Sequence, residues 1–250
     1  MSAIWASIAE QVQPALLGGT LHRVVESQSE VATLGLVGGD LAAQDLLERM
    51  LEVSKPPLRV DTENLDYLLK TPWRYPPLAY GSRFGSRHEP SLFYGSRQAT
   101  TALAETAFYR LRFLHDRDNP PPVVITRHTL FEARFRTQRG LRLHAPPFQR
   151  WQKSLTHPSN YTAAQALGTA MRNADIGAFE FTSARDPKHG LNVALITPQA
   201  LVSQRPRRPQ DWLCTTEQER VTFRSTRTAS EVITFEIEAF MVDGVLPQLA

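Results

Sequence analysis

The chain has one cysteine, Cys214, in 250 residues, so neither an internal disulfide nor a cysteine-built zinc centre can form, and a reducing compartment is the expectation. Nothing approaches the roughly 18 continuous apolar residues of a membrane span. The N-terminus, with Trp5 and Ile8 among Glu10, Gln11 and Gln13, lacks the basic start and apolar core of a secretory signal. These absences point to a soluble cytoplasmic protein. A formal charge of +3 is small for this length, so the excess of base, mostly arginine, hints at anionic ligands rather than duplex binding. Several chemistries lack their signatures as well: there is no G-x-x-x-x-G-K-[ST] phosphate loop, G-x-G-x-x-G fingerprint, H-E-x-x-H pair or G-x-S-x-G elbow. The seven histidines, at 22, 88, 115, 128, 144, 157 and 189, share no spacing that would gather metal ligands, and no metal is expected.

What remains is an ordinary globular composition, long enough to bury one large core. Ile4, Ile8, Val12 and Leu16 recur every four residues and predict a helix over 3–17 closed by Gly18 and Gly19, followed by a strand over 21–26. Asp40 is placed to cap a helix through Leu51 that Lys55-Pro56-Pro57 stops, and Asp61 to open a short helix containing Leu65, Leu68 and Leu69. The prolines of 71–77 predict a stiff loop, and 145–160 another. A helix over about 98–114 follows the apolar run that ends in Tyr94, a strand or hairpin arm occupies 123–135, and Thr162 caps a later helix.

Two strands, 176–181 and 191–196, flank a loop at 182–190. Arg205-Pro206-Arg207-Arg208-Pro209 is the best boundary candidate, and a terminal hairpin follows it. Roughly eight strands and six helices in mixed order predict an α+β fold. One domain over 1–250 is expected, with a core region of about 70–205 between an N-terminal extension (1–69) and a C-terminal extension (206–250).

Four residues have the chemistry for a site, and each also has a plain packing explanation. Arg83 lies between Gly81-Ser82 and Phe84-Gly85, where backbone can approach a ligand and a guanidinium can fork onto phosphate, or simply face solvent. Tyr94 can stack on a flat heterocycle or line the edge of a core. Glu105 shares a helix face with Ala102, Phe108, Tyr109 and Arg112, away from the stripe Leu103, Ala107, Leu111 and Leu114, and is either ion-paired or held for a cationic transition state. Ser183 has no nearby histidine to act as base, which favours a hydrogen-bonding role over a nucleophilic one. Tyr-Gly-Ser-Arg occurs at 80–83 and again at 94–97, so Arg97 competes with Arg83.

In order along the chain, Gly81-Ser82-Arg83-Phe84, Leu92-Phe93-Tyr94, Ala102-Leu103-Ala104-Glu105, Ser183-Ala184-Arg185 and Gly190-Leu191-Asn192-Val193 resemble the RES domain family, the toxins of RES-Xre toxin–antitoxin pairs. The second glycine of the family's turn is Ser82 here, and Gly85-Ser86 stand where asparagine and proline are common. The resemblance implies an ADP-ribosyltransferase-like α+β fold, with mostly antiparallel sheets and flanking helices, that consumes NAD+ as substrate. The acceptor would be water, phosphate or a protein. It implies that Glu105 stabilises the ribosyl cation, Arg83 holds the pyrophosphate or ribose, Tyr94 stacks on nicotinamide, and Ser183 bonds the nicotinamide-side ribose or amide. The implied partner is an Xre-type antitoxin with a helix-turn-helix domain, in a possible hetero-oligomer, with no membrane and no direct nucleic-acid contact. The rival reading is a binding module using the arginines of 205–208 and 110–117.

Overall fold

The computed structural model describes residues 2–27, 37–38, 40–228 and 230–248. Among them are eight strands: β1 (Ala15–Glu26), β2 (Phe93–Ser96), β3 (Val123–Arg142), β4 (Ala178–Thr182), β5 (Leu191–Leu195), β6 (Arg207–Glu217), β7 (Arg220–Ser225) and β8 (Val232–Glu236). The described helices are α1 (Ala3–Ile8), α2 (Leu41–Ser54), α3 (Tyr67–Arg74), α4 (Ala99–His115), α5 (Gln152–Leu155) and α6 (Thr162–Asn173). The fold is α+β, as expected.

The strands form one sheet in the order β1-β2-β5-β4-β3-β6-β7-β8, and a further pairing of β1 with β3 closes the first five into a ring. Only β3 and β4 run parallel; the other pairs are antiparallel. β3 makes this possible by its 20-residue length, pairing with β6 along its first half and with β1 along its second. The ring is weakest between β1 and β2, which meet only at His22 and Ser96.

Three apolar clusters hold the layers together. One packs Phe84, Phe179 and Phe181 under Leu167 and Met171 of α6. A second packs Leu103, Phe108 and Leu111 of α4 on Trp212 and Phe223. A third places Leu17, Leu21, Phe93 and Phe131 against Trp73 of α3. Fully burying each such side chain stabilises the fold by about 1.5–3 kcal/mol before entropy is counted.

Several local expectations are corrected. The first helix ends at Ile8 with a 3-10 turn to Gln11, and Gly18 and Gly19 lie inside β1. Pairing with β3 and the burial of Leu17 and Leu21 override the helical spacing. Asp61 lies in a 3-10 turn and pairs with Arg59, while Asp66 is the residue that caps α3. The predicted loop at 71–77 begins as helix, with Pro72 inside α3, because Trp73 is drawn onto Phe93 at 5.4 Å between ring centroids.

Residues 145–160 contain a 3-10 turn (Phe148–Trp151) and α5. Thr162 is the first residue of α6 rather than its cap, and its N–H is taken by Asn160 at 3.0 Å. The chain does not leave the sheet at 205–209, since Arg207 opens β6 and pairs with Glu132. The helix expected from Asp40, the long central helix, the strand pair around 182–190 and the terminal hairpin are present.

Candidate active site

A cavity of about 290 Å³ opens where β1 and β2 splay apart, and Arg83, Tyr94 and Glu105 line it together with Arg23, Tyr109 and Asn192. Three of the four residues singled out from sequence therefore share one space. The fourth, Ser183, is fully buried directly behind Glu105.

Glu105 is fixed through one oxygen. Its Oε1 accepts from Ser183 Oγ at 2.6 Å and from Asn192 Nδ2 at 2.5 Å, and no bond is made to Oε2 among the described residues. Each donor is itself oriented. Ser183 Oγ accepts the backbone N–H groups of Arg185 and Asp186, so its proton is left for Glu105. Asn192 Oδ1 accepts from Ser96 Oγ at 2.6 Å, which turns the amide NH2 towards the carboxylate.

The loop carrying Ser183 is tied to the helix carrying Glu105 by Thr101, whose Oγ1 donates to Asp186 Oδ2 at 2.7 Å. Gly190 allows that approach, because a Cβ there would lie 2.1 Å from Thr101 Oγ1. Arg185 completes the scaffold rather than the site: its guanidinium sits 3.6 Å from the Phe108 ring centroid and donates to Tyr161 Oη at 3.1 Å and to Pro158 O.

Arg83 is presented by a tight turn in which Ser82 and Gly85 exchange backbone hydrogen bonds. Gly81 has φ of +74°, and a Cβ there would meet Gly85 O at 2.3 Å, so glycine is required on both counts. α6 holds the turn from behind, where Gly168 lets the helix touch the backbone of Phe84 and Gln165 donates to Tyr80 O and Ser82 O. The Arg83 guanidinium lies 4.5 Å from the Tyr161 ring centroid, and Nη1 donates to Leu155 O and His157 O. No bond is made to its other nitrogens among the described residues.

Tyr94 lines the cavity, but its hydroxyl is already engaged. It bonds Ser82 Oγ at 2.9 Å and accepts from Phe84 N at 3.2 Å, and burial pushes its pKa up. The residue thus anchors the Arg83 turn while lining the space. Arg97, the sequence echo, is consumed structurally. It pairs with Glu180, donates to Gly18 O and Thr20 O, and lies 4.8 Å from the Phe135 ring centroid.

Arg23, Asn192 and Tyr109 also line the cavity, and the sequence alone assigns none of them a role in the site. Arg23 projects from β1 and donates to Tyr94 O at 2.5 Å, a carbonyl left free because β2 has already parted from β1. Burial lowers its pKa to about 10, so it stays charged at neutral pH. The signal was a charge at the parity of buried Leu21. Asn192 carried a similar signal, one amide inside the apolar run of β5. Tyr109, one turn beyond Glu105, lines the cavity while remaining partly exposed, its ring edge-on to Phe108 at 5.4 Å between centroids. Among the described residues no group of three or more His, Cys, Asp or Glu gathers to hold a metal, and no helix is long and apolar enough to cross a membrane.

The RES domain family profile matches residues 56–217. The chain belongs to the RES domain family. The RES match includes Arg83, Tyr94, Glu105, Ser183 and Asn192, whereas Arg23 comes from β1 ahead of it. In architecture this RES protein is similar to a chain of the M. tuberculosis MbcT–MbcA toxin–antitoxin complex, with a TM-score of 0.50 at 10% identity over 84% of this chain and 92% of that one. No curated protein matches it in sequence.

Proposed function

We propose that this RES protein is the toxin of a bacterial toxin–antitoxin pair and that it consumes NAD+ by breaking the bond between nicotinamide and ribose. The observation that carries the proposal is Glu105, held by Ser183 and Asn192 through Oε1 alone at the wall of a cavity that also contains two arginines. Membership of the RES family and the likeness to a chain of a toxin–antitoxin complex support the toxin role.

The chemistry follows from charge. When the C1′–N bond breaks, its electron pair leaves on the nicotinamide nitrogen, which becomes neutral, and positive charge moves onto the ribose as an oxocarbenium ion. A carboxylate beside that sugar attracts it more strongly in the transition state than in the ground state. At about 4 Å and an effective dielectric near 20 the attraction is about 4 kcal/mol, or roughly three powers of ten in rate. Ser183 and Asn192 keep Glu105 from rotating away, so no reorganisation is needed as the charge develops.

Arg83 and Arg23 supply fixed positive charge for the pyrophosphate, and Tyr94 provides an aromatic wall for the nicotinamide ring. The oxygen of water or phosphate then bonds to C1′; attacking water gives up its proton to the solvent. Nicotinamide leaves without protonation, so no second acid is required.

The reading includes a helix-turn-helix antitoxin of the Xre type that covers the cavity. The competing binding-module reading draws on arginines of which three are in ion pairs, Arg110 with Glu26, Arg112 with Asp116 and the exposed Arg208 with Glu132. Incubation with NAD+ labelled on the adenosine side tests the proposal and sorts the acceptor. Free nicotinamide with label in a small molecule means water or phosphate, and label on a protein band means ADP-ribosyl transfer. Intact NAD+ after prolonged incubation contradicts it.

A further inference from the structure

One histidine opens onto the Glu105 cavity. His22 lines it from β1, half-buried, and its imidazole makes no hydrogen bond among the described residues. β1 precedes residues 56–217, so the family match does not cover it.

The sheet register fixes what stands beside this ring. His22 lies opposite Ser96 of β2 and opposite Glu132 of β3. Residues directly opposite in antiparallel strands hold their Cβ atoms about 5 Å apart on one face. On one side, Ser96 Oγ donates to Asn192 Oδ1 and Asn192 Nδ2 donates to Glu105 Oε1, so His22 borders the network that fixes the carboxylate. On the other, Glu132 accepts from Arg208 of β6 at 3.5 Å. The remaining titratable or charged side chains of the cavity are Arg23, Arg83, Tyr94, Glu105 and Tyr109.

Of these groups, the imidazole is the one suited to take a proton from water. Burial lowers its pKa and the Glu132 charge opposes the shift, so the ring is neutral at pH 7 with a nitrogen lone pair to offer. The two guanidiniums have no lone pair, and a tyrosine hydroxyl is already protonated at neutral pH. Were Glu105 to take the proton, it would lose the charge that attracts the ribosyl cation.

Resting on the NAD+ reading above, we infer that His22 is the general base that makes water the acceptor. As the water oxygen bonds to C1′, one O–H bond breaks, its electron pair stays on oxygen, and the proton passes to the open ring nitrogen of His22 and from there to solvent. The C1′–N pair has left with nicotinamide. The sum is NAD+ and water to ADP-ribose, nicotinamide and one proton. A phosphate dianion brings an unprotonated oxygen and needs no such base, so the inference commits to hydrolysis.

Azide tests the role, because it is a nucleophile with no proton to lose. Nicotinamide release and the ribosyl product are measured across pH, with and without sodium azide, for the full chain, His22→Gln and Glu132→Gln. The wild type is expected to form ADP-ribose at a rate that falls on acidification as His22 binds a proton. His22→Gln is expected to lose about a hundredfold or more of that hydrolysis, and to regain nicotinamide release with azide as the ribosyl azide, a rescue that a structural role does not give. Glu132→Gln keeps the ring but removes a charge that raises its pKa, so the acid limb is expected to move to lower pH. Unchanged hydrolysis in His22→Gln overturns the assignment, as does a loss that azide does not restore together with an acid limb unmoved in Glu132→Gln. Should His22→Gln fail to fold, the position of the Glu132→Gln limb decides alone. A wild type whose product is a phosphorylated ADP-ribose or a protein adduct, with no ADP-ribose, overturns the role of His22 and leaves the NAD+ reading standing. No nicotinamide release with any acceptor overturns that reading, and the role with it.

Discussion

Ser183 and Glu105, 78 positions apart in the chain, are joined by a 2.6 Å hydrogen bond that fastens a loop after β4 to the helix bordering the cavity. Ser183 is fully buried and its oxygen also serves two backbone N–H groups. Ser183→Ala therefore has two effects. Leaving those buried donors unpaired costs about 1–3 kcal/mol of stability. Freeing Glu105 to rotate lowers kcat for nicotinamide release by about tenfold or more. Thermal unfolding and turnover, measured on the same preparation, check both.

The repeated Tyr-Gly-Ser-Arg gives a paired test. Arg83→Ala removes a cavity-lining cation that contacts two backbone carbonyls and a tyrosine ring, so the loss is expected mainly in KM for NAD+. Arg97→Ala strips the nearly buried Glu180 of its close partner and leaves, among the described residues, Arg142 at 3.6 Å. Its loss appears as a fall of about 3 kcal/mol in unfolding free energy, the scale for breaking a buried ion pair. Similar effects from both substitutions, on both KM and stability, contradict this division.

How much of this was legible in sequence depends on whether a signal was local. The α4 helix and the β4–β5 pair were readable because their apolar spacing agrees with their burial. The strand expected over 21–26 is the second half of β1, but its first half was misread because Ile4, Ile8, Val12 and Leu16 mimic a helix, while the partner that makes residues 15–20 a strand lies more than a hundred positions away. In α3, propensity around Pro72 lost to the burial of Trp73. The candidate site divides the same way. Arg83, Tyr94, Glu105 and Ser183 sit in short patterned segments, but Arg23 becomes a site residue only because two strands diverge.

Burial makes His128 one source of acid sensitivity. Desolvation, with help from the Arg110 charge, lowers its pKa to about 4 from an ordinary 6.5. The unfolded chain binds the proton more tightly, so stability is full above about pH 6.5 and is lost as pH falls from there towards 4. The shift corresponds to about 3 kcal/mol. His128→Gln flattens this part of the stability–pH curve. A wild-type unfolding free energy unchanged between pH 7 and pH 4.5 contradicts the assignment.

Glu105 is the residue on which NAD+ cleavage depends most, and nicotinamide release from NAD+ by wild type and Glu105→Gln tests this most directly. The substitution keeps the shape and an acceptor for Ser183 but removes the negative charge that meets the ribosyl cation. The expected result is release by the wild type and a loss of roughly three powers of ten in kcat in the variant, with thermal stability retained. Release by Glu105→Gln at the wild-type rate contradicts the mechanism.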